Sequence, residues 1–391
     1  MSLINMDSVY RNTTSWTTSF FSSANDENHS DIMHHAGSPI GMPPMPSYNP
    51  QTNLFKKYAF PVTIAFGFLG NTIVCYIFTH TKLKKTSTVR YLAAVAVTDN
   101  GFLLTAFFYH LGEYFNSTIH LNVGPCQLLT FGNHVFTFLS IWYLTAVYIE
   151  KYVGLNCPRK KSRMCTVFRA KCVTIGLAIC GLVCYLYTTW FFGVRNSGYG
   201  KFCIMWDRND IIQAWSILTK VDAVIVFMIP YIAIAILTCL IAIKTWQYRR
   251  MTPTASERFL RQQRAYVPPN KEVRTTPLLF LLAVCTFLLC TPNCFNRIRV
   301  LFVPPESMHP TLEGDIFHYL ALVHNAVKIL VYTAASKSFA KQLGRLFCSI
   351  VALFTCKQSR SSSPENELAG LNSEGKETCT QNTPKRTERS L

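Results

Sequence analysis

Charge is scarce in this chain. Only 15% of its 391 residues are Asp, Glu, Lys or Arg, where a soluble protein usually carries about 25%. Acidic residues are the rarer: 20 Asp and Glu stand against 38 Lys and Arg, a net charge of +18. On a soluble protein that excess would point to nucleic acid. Here the basic residues fall between long apolar runs, so no nucleic-acid partner is expected. No span or loop offers a nucleophile–base set or metal-ligand spacing. The clustered Cys285, Cys290 and Cys294 read as small apolar packing groups. An enzyme is therefore not expected, nor a cofactor. The first 57 residues lack the basic-then-apolar layout of a cleaved signal peptide. No internal repeat of the inverted-repeat transporter kind is visible.

Apolar runs decide the class. A helix needs about 20 mostly apolar residues to cross a bilayer. Seven candidates fall near 58–80, 91–111, 126–149, 172–193, 215–243, 276–297 and 316–335. They predict an all-α membrane protein, a seven-helix bundle across residues 58–336. Few charges lie inside them: Asp99, Lys220, Asp222, Arg297 and Lys328. Lys328, within "HNAVKILVYTAAS", needs a partner, a route to water or a function.

The loops after spans one, three and five are rich in Lys and Arg, and those on the other side are sparse. The positive-inside rule then puts the N-terminus outside and the C-terminus inside, in the plasma membrane. Sequons at Asn12, Asn28 and Asn116 all fall outside as candidate glycosylation sites, although short sequons also arise by chance. Of 15 cysteines, Cys126 and Cys203 alone fall on the outer side, the natural disulfide of that oxidising compartment.

Residues 1–57, rich in Ser, Asn, Pro and Met, read as a disordered extracellular arm. After span seven, "SKSFAKQLGRLF" places Phe339, Leu343, Leu346 and Phe347 on one helical face. That predicts an amphipathic eighth helix over 337–350 on the inner membrane surface. Cys348 is a candidate palmitoylation site. Residues 351–391 read as a disordered cytoplasmic tail with Ser and Thr open to phosphorylation.

Several motifs match by spacing. "GNTIV" spans Gly70–Val74, and "VAVTD" ends at Asp99. Cys126 lies 25 residues before Lys151 of Glu150-Lys151-Tyr152. Pro230, Pro292 and Tyr332 complete the set. Together they resemble the rhodopsin-like G-protein-coupled receptors over roughly residues 55 to 350. "CTVFRAK" at Cys165–Lys171, followed by "YTTWFFGV", is similar to the thyrotropin-releasing-hormone and FMRFamide-type neuropeptide receptors. The resemblance implies an extracellular peptide ligand, a heterotrimeric G protein, arrestin and a receptor kinase at the tail, and contact with membrane lipids. It also assigns Glu150, Lys151, Tyr152 and Tyr332 to the G-protein switch.

This chain departs from the family pattern at defined places. Lys151 replaces the triplet's arginine, a compact charge in place of a planar fork of donors. Cys290 stands where span six usually has tryptophan, and Thr238 where span five has tyrosine. Lys328 and Ile329 replace the Asn-Pro of span seven. In the family the positions of Asp99 and Lys328 flank a small polar cavity that often holds sodium. The expectation is that the Lys328 ammonium takes the sodium's place and pairs with Asp99. The alternative is that Lys328 snorkels toward the inner surface.

Amine receptors of the family carry an aspartate seven residues after the span-three cysteine. Here that residue is Asn133, uncharged. The candidate pocket comprises Asn133, His134, Asp222, Arg297 and His318, with Glu113 and Arg299 at its rim; mixed charge there suits a peptide. His134 and His318 also fit hydrogen-bonded core histidines, and Asp222 and Arg297 could pair with each other. Alternatives are an opsin-like or other small-molecule chemosensory receptor, or a membrane transporter. The opsin lysine lies ten residues before the closing tyrosine, which here is Leu322. Lys328 lies about 240° further round the helix.

Overall fold

The computed structural model describes residues 50–115, 117–157, 163–197, 200–250, 270–299, 301–302 and 312–361. The sequons at Asn12, Asn28 and Asn116 lie outside the described residues.

Spans one to three are α1 Pro50–His80, α2 Ser87–Phe115 and α3 Pro125–Asn156. Span four is α4 Val167–Tyr185 with the short α5 Thr188–Phe191. A hairpin follows, β1 Phe192–Ser197 and β2 Gly200–Met205. Span five joins α6 Asn209–Asp222 to α7 Ile229–Arg250 through a π-helical stretch, Ala223–Met228. Span six is α8 Asn270–Arg299, and span seven is α9 Leu312–Ala326 with α10 Lys328–Ala335. The last helix is α11 Lys337–Ser361.

Five helices among the described residues are long and apolar enough to cross a membrane, six if the bent α9–α10 pair counts as one. Helix α3 is not among them, because Asn133, His134, Ser140 and Thr145 dilute its apolar content. It is nonetheless the central helix, packed against α2, α4, α7 and α8.

Pro50–Lys57, expected within the N-terminal arm, are helical; Lys56 Nζ lies 2.6 Å from Asp315 Oδ2 at the start of span seven. The eighth helix runs to Ser361 instead of ending at 350. Within its first turns Phe339 is buried against Phe78 and Tyr332, at ring distances of 5.4 and 5.7 Å.

The hairpin is the one β element among the described residues, a departure from an all-helical chain. Its antiparallel register sets Val194 opposite Cys203. Cys203 is bonded to Cys126 in the first turn of α3, with Cα atoms 5.6 Å apart. Phe192, Met205 and Ile211 bury one hairpin face, with Trp215 packed on them.

Span seven bends by 46° between Ala326 and Lys328 without a proline. A sharp kink needs a cause, and side chains that divert the backbone ladder are one. A continuous helix would offer the Asn325 carbonyl to the N–H of residue 329. Here Asn71 Nδ2 of span one donates to it at 3.0 Å. The reach requires close helices. A Cβ on Gly67 would lie 2.8 Å from the Ala326 Cα, and one on Gly70 2.9 Å from Ile329 Cγ2.

Candidate functional site

Polar side chains gather at three levels of the bundle. At the hairpin end, the π-helical stretch follows Asp222 directly. Such widenings shift the helix register and recur at functional sites. The Tyr185 hydroxyl of span four donates to Asp222 Oδ1. Arg297 of span six is close enough for its charge to attract that of Asp222. His134 Nδ1–H donates to the Thr130 carbonyl at 2.9 Å, a core-histidine bond. Its ring still faces Tyr185 at 5.6 Å and Trp215 at 5.8 Å. Trp215 also meets Tyr187, Phe191 and Phe192, so an aromatic wall joins spans three, four and five to the hairpin.

Arg297 links the expected pocket residues, its charge reaching His134 and His318 as well as Asp222. His318 stacks on Phe60 of span one at 6.5 Å and lies close enough to Arg297 for that charge to act on it. The Asn133 carbonyl accepts the Thr137 hydroxyl at 2.7 Å. Arg299 is half-buried at the end of α8. Glu113 lies in α2, and its side chain is outside the described residues. Tyr185, Tyr187 and Trp215 were not among the expected pocket residues. Their signal in the sequence is the aromatic cluster flanking the hairpin, which falls where span four ends.

The middle level holds a buried ion pair. Lys328 Nζ donates to Asp99 Oδ1 at 2.8 Å and to Oδ2 at 2.7 Å. Both side chains are sealed off, 2% and 0% exposed. Ser140 of span three donates to Asp99 Oδ1 at 2.7 Å, and Asn325 Oδ1 accepts weakly from Lys328 at 3.4 Å. The snorkelling alternative does not describe this geometry, since the ammonium points into the bundle. One turn earlier His324 lies buried against Thr286 of span six, Nε2 to Oγ1 3.1 Å. Thr286 already donates to the Leu282 carbonyl at 2.8 Å. Its oxygen must therefore accept, which assigns the proton to His324 Nε2.

At the opposite end, Glu150 and Lys151 turn to different helices. Glu150 Oε1 accepts hydroxyls from Ser87, at 2.8 Å, and Thr88 of span two. Lys151, 2% exposed, donates to Thr275 Oγ1 of span six. Tyr148 donates to the Leu279 carbonyl at 2.7 Å. Tyr152 accepts from Asn156 at 3.3 Å. Tyr332 is buried between Phe78 and Phe339. Cys348 is exposed in α11.

Comparison with known proteins gives a consistent picture. The family model described as "7 transmembrane receptor (rhodopsin family)" matches residues 70–332. Somatostatin receptor type 2 of Mus musculus is 22% identical over 328 residues, covering 82% of this chain and 85% of the relative. Neuromedin-U receptor 1 of Homo sapiens is 22% identical over 325 residues, 76% and 74% of the two chains. The GQ-coupled rhodopsin of Mizuhopecten yessoensis is 26% identical over 303 residues, 72% of this chain and 58% of the relative.

Proposed function

The chain belongs to the seven-transmembrane receptors of the rhodopsin family, a multi-pass membrane protein, and we propose that an extracellular peptide activates it through the hairpin-end pocket. The reading places the protein in the plasma membrane, with the hairpin and N-terminus outside and the Lys151 end facing the G protein. The C-terminus then faces the cytosol. Arrestin and a receptor kinase would act on the C-terminal tail. Cys348 would carry a palmitoyl chain, and inner-leaflet lipids would meet α11.

One observation carries the peptide reading. At the hairpin end a carboxylate and a guanidinium, Asp222 and Arg297, lie beside an aromatic wall, with uncharged Asn133 in span three. An ammonium ligand would find no carboxylate on span three, whereas a peptide can meet both charges and the aromatic faces. Relatives named for somatostatin and neuromedin-U support the same class.

An opsin is the second reading, favoured by the likeness to a rhodopsin. Leu322, at the position of the opsin lysine, is fully buried among Phe60, Phe102 and Leu103. Lys328 spends its ammonium on Asp99. A Schiff base needs a free neutral amine, and that pairing opposes one.

The test is a peptide-library screen on cells expressing the chain with a promiscuous G protein. A peptide whose response vanishes in Asp222→Ala or Arg297→Ala supports the reading. Visible absorbance after retinal addition, lost in Lys328→Ala, would replace it with the opsin.

A further inference from the structure

Threonines inside the spans mostly satisfy their hydroxyls within their own helix. Thr137, Thr145, Thr174, Thr286 and Thr333 each donate to the carbonyl four residues back, at 2.7–2.8 Å. Thr238 of span five does not. Its Oγ1 is buried without a hydrogen-bond partner. A buried hydroxyl left unsatisfied is costly, so this one calls for a partner that the helices do not supply. Thr238 lines a cavity of about 10 Å³ with Tyr148 of span three, Ala242 of span five, and Thr276, Leu279 and Phe280 of span six. That is room for one water-sized group. Tyr148 donates its proton to the Leu279 carbonyl at 2.7 Å, so that proton does not serve Thr238. Phe280 is 52% exposed, which sets the cavity at the surface of the bundle, where lipid packs.

From the cavity a ridge leads to the end of span five. Thr238, Ala242, Trp246 and Arg250 follow at four-residue steps, along one side of α7. Ala242, the smallest of them, keeps the ridge low beside the cavity. Trp246 is exposed, as an indole at a membrane interface is. The Arg250 guanidinium lies over it, 3.8 Å from the ring centroid, which holds a cation at headgroup level. Thr238 is eight residues from Trp246, about 12 Å at 1.5 Å per residue. The hydrocarbon of one leaflet is about 15 Å deep. The Thr238 hydroxyl therefore lies near the far end of any acyl chain whose carboxyl end reaches Arg250.

We propose that this ridge binds a long-chain hydroxy fatty acid, with its carboxylate on Arg250, its chain over Trp246 and Ala242, and a hydroxyl far down the chain bonded to Thr238 in the cavity. A plain saturated chain covers the apolar stretch but leaves the Thr238 oxygen unsatisfied, so the orphan hydroxyl selects a hydroxylated chain. The site lies in the opposite half of the bundle from the hairpin-end pocket. The receptor reading supplies only the leaflet, the inner one.

The test is equilibrium binding to the purified full chain in phosphatidylcholine nanodiscs, which needs no signalling readout. The probes are radiolabelled stearic acid hydroxylated at its twelfth carbon, plain stearic acid, and stearic acid hydroxylated at its second carbon. The wild type should hold the first about fivefold more tightly than the other two. Thr238→Val, nearly the same shape, should erase that preference, and Thr238→Ser, which keeps the hydroxyl, should retain it. Arg250→Gln should weaken all three about tenfold. Ala242→Leu, which raises the ridge, should abolish saturable binding. Equal affinities in the wild type would overturn the site and leave Thr238 to a water molecule. A preference that persists in Thr238→Val, or binding indifferent to Arg250 and Ala242, would overturn it as well.

Discussion

Lys328 on span seven and Asp99 on span two form a two-pronged ion pair, 2.8 and 2.7 Å, with neither side chain reaching solvent. The pair sits where span seven bends. Lys328 is the first residue after the break, so the bend and the ion pair fix each other. Removing one partner from a buried pair leaves a bare charge and typically costs about 3–5 kcal/mol, whereas replacing both with apolar groups is often close to neutral. Asp99→Asn and Lys328→Met should each lower surface expression sharply. The Asp99→Asn/Lys328→Met double variant should recover most of it. Quantitative surface labelling reads the result, and additive losses would show that the two residues do not act as a unit.

The Cys126–Cys203 bond closes a loop of sequence separation 77 and holds β2 over the first turn of α3. Disulfides of this kind typically contribute about 2–4 kcal/mol. Cys203→Ser should therefore lower the melting temperature and the surface yield. It should act less than additively with Cys126→Ser, since either change opens the same loop. Mass mapping without reductant that found both thiols free would remove the basis for this expectation.

Tyr185 positions Asp222 by donating to its carboxylate. Once the screen supplies a peptide agonist, Tyr185→Phe should weaken its potency less than Asp222→Ala does. Truncating a desolvated charge partner commonly costs about 2–5 kcal/mol. Dose–response curves decide the case. An agonist indifferent to Tyr185, Asp222 and Arg297 together would place the site elsewhere.

His120, in the short 3-10 turn Ile119–Leu121, is buried against Gly112, where a Cβ would fall 1.8 Å from its ring. Burial pulls its pKa below the ordinary imidazole value, partly opposed by a backbone hydrogen bond at Ser117. The unfolded chain then binds the proton more readily than the folded one. Stability rises with pH between the folded pKa and about 6.5 and is lost as pH falls through that window. The melting temperature should drop from pH 7.5 to 5.5 by more in the wild type than in His120→Phe. Equal drops in both would assign the pH dependence to other histidines. Gly112→Ala should destabilise at every pH.

Much of this arrangement is legible in the sequence, and the limits follow from physics. The spans show because a bilayer demands about 20 apolar residues from each helix, whatever the neighbours do. Cys126 and Cys203 stand out because compartment alone selects them. Lys328 stands out because an ammonium in an apolar run is costly. The hairpin at Phe192–Met205 is less readable, since its pairing leans on a disulfide and on Trp215 from another helix. The bend at Val327 has no proline to announce it; it depends on Asn71 reaching across from span one. Lys151 choosing Thr275, and Tyr185 choosing Asp222, depend on how each helix is rotated. Periodicity alone does not set that rotation between neighbours.

The central claim is that the Lys328 ammonium fills the place of a mobile cation beside Asp99. The most direct measurement is the melting temperature of purified receptor, without ligand or G protein, in sodium chloride and in choline chloride at equal ionic strength. Bound sodium would stabilise by RT ln(1 + [Na⁺]/Kd) and raise the melting temperature with concentration. The wild type should melt identically in both salts, and Lys328→Asn, which empties the position while keeping Asp99, should acquire a sodium-dependent rise. A sodium-dependent rise in the wild type would contradict the account, because Lys328 already occupies both Asp99 oxygens.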